Sequence, residues 1–194
     1  MAGLRERKKE RTREAIQREA LRLIETGGYD AMTCEQIAAG AEVSPATLFR
    51  YFATKEDIVL QDRYDPLIAD AVRARPAGED PLTAMRRGFA DTFAHVYQGD
   101  VAVIRQRTAL ILSVPALRAR SREQQESLVS HLSAALAERA GERAGGLQVD
   151  VAAAVCAAAV STAVEAWARD GGDLPSQVDL AFAAVAVLTS GDGR

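Results

Sequence analysis

The sequence is poor in the residues that build sheets and most catalytic sites. Aromatic side chains make up 5% of its 194 residues. No run of β-branched or aromatic residues alternates with polar ones between regularly spaced turn signals, which argues against a sandwich or barrel. The two cysteines, Cys34 and Cys156, stand far apart, so neither a paired zinc-ligand spacing nor a disulfide framework is present. The two histidines, His95 and His131, fall in no ligand or nucleophile pattern. No glycine-rich phosphate loop and no E-x-x-H repeat occurs. These absences point away from enzymes, and no cofactor or metal is expected. The N-terminus is charged throughout, unlike a secretory signal. The most apolar run, Val151 to Val164, is shorter than the roughly 20 residues a bilayer crossing needs. The expected setting is therefore cytoplasmic, with reduced thiols and no membrane partner.

What is abundant is hydrophobic residues at 48%, with much alanine and leucine, a mixture suited to close-packed helices. The expected fold is all-α with about nine helices. The net charge of −3 argues against indiscriminate coating of nucleic acid, but its distribution is uneven. Arg5, Arg7, Lys8, Lys9, Arg11 and Arg13 precede Glu14 against only Glu6 and Glu10, whereas acids outnumber bases beyond Ile58. Positive potential is concentrated at one end.

Local signals divide the first sixty residues. Ile16, Ala20, Leu23 and Ile24 share one face of a helix running from about Arg5 to Thr26, and Gly27 and Gly28 supply a left-handed stop. Thr33 and Gln36 have capping-box spacing and open a second helix with Ile37, Ala38 and Ala41 on its apolar face. Ser44 caps a third, with Pro45 at its first position and Leu48 and Phe52 buried. Thr54 and Asp57 repeat the capping arrangement for a fourth helix through Ile58 and beyond. Two helices of about two turns are marginal alone and need the first and fourth as walls. Joined by a tight turn at Glu42 and Val43, they describe a helix-turn-helix, whose second helix can enter the major groove.

The segment Gly28 to Ile58, GYDAMTCEQIAAGAEVSPATLFRYFATKEDI, closely resembles the DNA-binding domain of the tetracycline-repressor (TetR) family. The matching pieces are the GY after the first helix, T-x-x-x-I-A in the second, and V-S-x-x-T-L-F-x-Y-F followed by K-E. One departure stands out: the family usually carries glycine before the valine of the turn, where this chain has Glu42, with Gly40 two places earlier. If the backbone is left-handed there, a non-glycine residue costs about 1 kcal/mol.

The resemblance implies an N-terminal three-helix DNA-binding domain over 1–58 and an effector-binding and dimerisation domain over 59–194. It also implies contacts that the residue chemistry supports. Ser44, Pro45, Ala46 and Thr47 form the groove-facing turn, short enough for close approach. Thr47 can meet a base edge or phosphate, and Pro45 and Ala46 can meet thymine methyls. Arg50 suits a guanine or a phosphate, and Tyr51 matches the family's phosphate-contacting ring. Lys55 and Thr33 lie at helix starts suited to phosphate. Phe49 is either half-buried packing or a DNA contact. Arg5, Lys8, Lys9 and Arg11 form an arm for phosphate or the minor groove.

Beyond Asp80, the pattern predicts a helix from Pro81 through Val96 ending near Gly99. Others follow: one from Val101, one from Pro115 through Leu136, one from Asp150 to about Arg169 and one from Ser176 to about Thr189. Pro76-Ala77-Gly78 reads as a hinge loop between the two parts. The last two helices have little polar face and must be covered on several sides. Val155, Ala159, Leu180, Ala184 and Val187 are expected at a homodimer interface. Met85, Phe89, Phe93, Ile104, Leu112 and Trp167 are candidates to line an effector cavity, although such residues equally form plain core. The stretch Leu112 to Arg120 resembles actinobacterial regulators whose ligands include long-chain acyl thioesters; the residues themselves leave the ligand class open. The expectation is a repressor of adjacent genes on a palindromic operator, released by a small, largely hydrophobic effector. The alternative is a sequence-tolerant DNA binder or an activator without ligand release.

Overall fold

The computed structural model describes residues 3–61, 64–141 and 146–189. Within them lie nine helices and no strand. The chain divides into two compact units: residues 1–61 with 113–120, and residues 62–112 with 121–194. The boundary thus falls at Gln61 rather than Ile58, and eight residues from much later in the chain join the first unit.

The first unit holds α1 (Leu4–Gly27), α2 (Cys34–Gly40), α3 (Pro45–Tyr51) and α4 (Lys55–Leu60). Its starts and stops are chemically specified. Gly28 ends α1 at φ 83° and donates its N–H to Ile24 O at 2.8 Å, a conformation that glycine adopts without a Cβ penalty. Thr33 and Gln36 form a reciprocal capping box on α2, and Thr54 and Asp57 form another on α4. Each satisfies two amides that a helix start leaves open. Ile16, Ala20, Tyr29, Met32, Ile37, Leu48, Phe52 and Ile58 close the core, joined by Leu117 from the later segment. The fourth helix is shorter than its capping signal suggested: α4 ends at Leu60, and α5 (Tyr64–Arg73) is a separate helix in the second unit.

The second unit continues with α6 (Pro81–Ser113), most of α7 (Pro115–Ala140), α8 (Leu147–Asp170) and α9 (Leu174–Thr189). The expected stop near Gly99 is absent, because α6 runs unbroken through it for 33 residues. A lone glycine costs a helix about 1 kcal/mol relative to alanine but offers no cap, and no proline follows before Pro115. The Pro76–Gly78 loop joins α5 to α6 inside this unit, so it is not the hinge between the two parts. Arg139 holds it, donating to the carbonyls of Arg75, Pro76 and Glu79 at 2.5–3.0 Å. Residues 142–145, which follow α7, lie outside the described residues; Gly141 is left-handed at φ 68°.

One apolar cluster fills this unit, drawn from α5 to α9, with Val72, Met85, Phe89, Leu132, Cys156, Trp167 and Phe182 at its heart. Here α8 corrects the membrane argument. At 24 residues it is long and apolar enough to cross a bilayer by length and composition, so shortness does not exclude a span. Its packing argues for another role, since Ala153, Cys156, Ala157, Val160, Ala163 and Trp167 are buried in the cluster.

Candidate nucleic-acid interface

α3 is held to the first unit by one face and leaves the other open. Leu48 and Phe52 are fully buried, while Pro45, Ala46, Phe49 and Arg50 are exposed, the i, i+1, i+4, i+5 row of one helix side. Phe49 is 50% exposed, so half of its ring lies open on this side of the helix. Thr47 and Tyr51 flank the row half-buried. The Arg50 guanidinium lies over the Tyr51 ring, 5.7 Å from its centroid.

The caps decide which hydroxyls remain available. Ser44 Oγ accepts the Thr47 N–H at 3.1 Å and donates its proton to Thr47 Oγ1 at 3.0 Å. The Ser44 hydroxyl therefore serves the helix start, and the Thr47 hydroxyl is the one left to donate outward. Thr33 accepts the Gln36 N–H at 3.2 Å and is exposed at the start of α2.

Lys55 is tied to its own unit. Its Nζ donates to Tyr29 O at 2.8 Å and to Met32 O at 3.1 Å, and it lies 4.2 Å from the Tyr29 ring centroid. The amine faces the α1–α2 loop and positions it, while Lys55 itself stands at the start of α4. The Tyr29 hydroxyl completes the clamp by donating to Glu56 Oε1 at 2.7 Å. Burial, then the Glu56 carboxylate, push the Tyr29 phenol well above its ordinary value, and the same hydrogen bond holds the Glu56 carboxyl below the usual range. The carboxylate's share of stability is complete above the ordinary glutamate range and fades as pH falls through the lowered value. Lys55→Met leaves two half-buried carbonyls without their donor and removes a cation–π contact, and is expected to cost about 2 kcal/mol in urea denaturation.

The turn at Glu42 is left-handed. With φ 55° it is the one non-glycine residue of positive φ among the described residues, so Glu42 holds a left-handed position that glycine would adopt without a Cβ penalty. The strain is about 1 kcal/mol. Val43 N–H to Ala38 O at 2.9 Å and Ala41 N–H to Ile37 O at 2.9 Å hold the turn.

The arm residues Arg5, Lys8, Lys9 and Arg11 are exposed in the first turns of α1. Arginine, lysine and glutamate are good helix formers, and the α1 pattern simply continues into them. Lys9 pairs with Glu6 at 3.5 Å across the surface.

Residues 16–61 match the family of bacterial regulatory proteins described as tetR, and residues 79–189 match the MftR C-terminal domain, a TetR-type C-terminal family covering more than half of the chain. The chain belongs to the TetR family. Among curated relatives, it is 38% identical to the transcriptional regulator TcmR of Streptomyces glaucescens over 146 residues, 72% of this chain and 65% of that one. It is 33% identical to EthR of Mycolicibacterium smegmatis over 111 residues, 54% of this chain and 49% of that one. The matches thus span under two thirds of these relatives. Among solved structures, FadR of Thermus thermophilus, a TetR-family repressor in complex with lauroyl-CoA, aligns at TM-score 0.54 and 21% identity over 94% of this chain and 96% of that one. The family is one of regulators, not enzymes.

Four contacts of this TetR-family chain carry no local sequence signal. Gln17 donates from α1 to the carbonyls of Ile58 and Gln61 at 3.1 and 2.6 Å, capping the end of α4, and Arg13 donates to Gln61 Oε1 at 3.1 Å. Within the same unit, Arg120 of α7 lies 3.9 Å from the buried Asp57 carboxylate. Polar residues more than forty positions apart announce such pairs in no spacing rule.

All six candidate effector-lining residues lie in the second unit. Met85, Phe89 and Trp167 are fully buried in its core, and Phe93, Ile104 and Leu112 pack half-buried against them. Phe89 stacks on Phe93 at 6.2 Å between centroids and meets Phe182 at 6.1 Å. The Trp167 indole donates to Gly172 O at 3.2 Å. Of the candidate dimer residues, Val155, Leu180, Ala184 and Val187 are exposed in the single chain and Ala159 is half-buried. Both thiols are shifted against ionisation. Burial pushes Cys34 up and raises Cys156 to about 12.

Proposed function

We propose that the chain is a homodimeric transcriptional repressor of adjacent genes. It holds a palindromic operator through α3, presented twice, and lets go when a small, largely hydrophobic effector binds its second unit. The observation that carries this reading is the exposed row Pro45, Ala46, Phe49 and Arg50 on a helix anchored by Leu48 and Phe52. Short and apolar groups stand at the leading end, and one guanidinium stands at the trailing end. The first can meet thymine methyls, and the second can span O6 and N7 of a guanine. The apolar cluster of the second unit supports an effector of similar character, as does the lauroyl-CoA carried by Thermus thermophilus FadR.

A ligand releases DNA only through a difference in affinity for two states. Half-sites lie about one helical turn apart or a multiple of it, so a small change in the separation of the two α3 helices mis-registers both. Effector and operator then weaken each other by the same factor. Selection from a randomised duplex pool tests the DNA reading, with a palindrome expected. Equal recovery of all sequences at moderate salt removes it. Titrating the selected operator complex with acyl thioesters and other apolar ligands tests release.

Arg50→Ala is expected to weaken operator binding by about 1–3 kcal/mol and to relax preference at one base position in each half-site. Anisotropy on a panel of single-substitution operators reads both. An unchanged profile takes Arg50 out of the readout.

A further inference from the structure

Glu42 combines three properties. It is strained at positive φ, its side chain is exposed, and its carboxylate makes no hydrogen bond or ion pair among the described residues. It is also the single acid between Glu35 and Glu56, on a stretch whose other charges, Arg50 and Lys55, are positive. Glycine at this turn would suit the backbone better, and nothing in the packing uses the glutamate side chain. What the side chain brings is an exposed negative charge two residues ahead of Ser44, the cap of the helix proposed above to meet DNA.

We propose that Glu42 is a specificity-determining residue: its carboxylate weakens binding to unrelated duplex more than binding to the operator. The inference rests on the DNA-binding reading above. On unrelated DNA almost all the binding free energy is phosphate contact, and the domain samples orientations, including those that bring the turn against the backbone. Within the roughly 8 Å screening length of physiological salt, each such approach is penalised. On the operator, base contacts fix one register and hold the turn in a single position, so the same charge weighs less. Discrimination is a difference of affinities, and a repulsive element directed at the wrong partner raises it.

The test uses the full-length protein, the selected operator and a scrambled duplex of equal length, with anisotropy at low and moderate salt. Glu42→Gln keeps the strained backbone and removes the charge; Glu42→Gly removes both. Both variants are expected to tighten on scrambled duplex about three- to tenfold at low salt, and on the operator by less than about twofold. The gain fades as salt rises. Only Glu42→Gly raises the thermal midpoint, which separates charge from strain. Equal shifts on the two duplexes, no shift on either, or a DNA effect confined to Glu42→Gly overturns the inference. Wild-type protein that fails to distinguish the operator from scrambled duplex removes the repressor reading itself, before any variant is made.

Discussion

Leu180→Glu is expected to yield a monomer by light scattering and to lower operator affinity about a hundredfold or more. In the single chain, Val151, Val155, Leu180, Val187 and Leu188 stand between 40% and 83% exposed on α8 and α9, which pack against each other. Alanines 154, 158, 183 and 184 lie exposed among them. Small side chains on two adjacent helices permit the close approach that a second pair of helices would make. An interface about a dyad repeats every residue, so one substitution buries two carboxylates in an apolar seam. An unpaired charge there costs several kcal/mol. Loss of the dimer leaves each chain a single half-site and removes the advantage of tethered binding, which is commonly a hundredfold to ten-thousandfold. Because Leu180 is exposed in the protomer, far-ultraviolet circular dichroism should stay helical. A dimer of wild-type operator affinity would take this face out of the assembly.

How far the architecture could be read in advance depends on where each signal lives. Thr33 with Gln36, Thr54 with Asp57, Ser44 with Pro45, and Gly28 are local devices, in which side chain and amide lie within four residues. Their chemistry is complete in the sequence, so the helix starts and the α1 stop of the first unit were legible. The row on α3 was legible for the same reason, since Leu48 and Phe52 set which side faces inward. Gly99 misled because a glycine ends a helix only when the next turn has something to replace it, and no proline follows before Pro115. Lys55 was placed on a helix start correctly, but its partners Tyr29 and Met32 lie more than twenty residues earlier, beyond any spacing rule. The unit boundary was blurred by residues 113–120, which fold with the first unit although residues 62–112 of the second lie between them. Composition led to the expectation that α8 and α9 are covered on several sides, and the exposed side chains locate the apolar surface that the single chain leaves open.

Phe89→Ala is expected to cost about 3–5 kcal/mol, the usual range for removing a fully buried aromatic ring. That corresponds to a fall in thermal midpoint on the order of 10 °C for a chain of this size. Phe89 has no exposed surface and sits between Phe93 and Phe182, so its removal leaves a void bounded by rings with little freedom to collapse. Such an apolar void stays dry and accepts small apolar molecules. The variant therefore separates the two roles the sequence left open for this residue. If Phe89 is core alone, benzene-sized ligands restore part of the lost midpoint while affinity for the cognate effector is unchanged. If it also lines the effector site, effector affinity changes with it, and the stabilisation by saturating effector changes by the corresponding RT ln(1 + [L]/Kd). The sole tryptophan, Trp167, belongs to the same cluster with its indole fixed on Gly172 O, and its fluorescence reports both titrations without a label. A midpoint within about 2 °C of wild type would mean that the ring contributes little to the core, and the packing assigned to the second unit would have to be redrawn around α6.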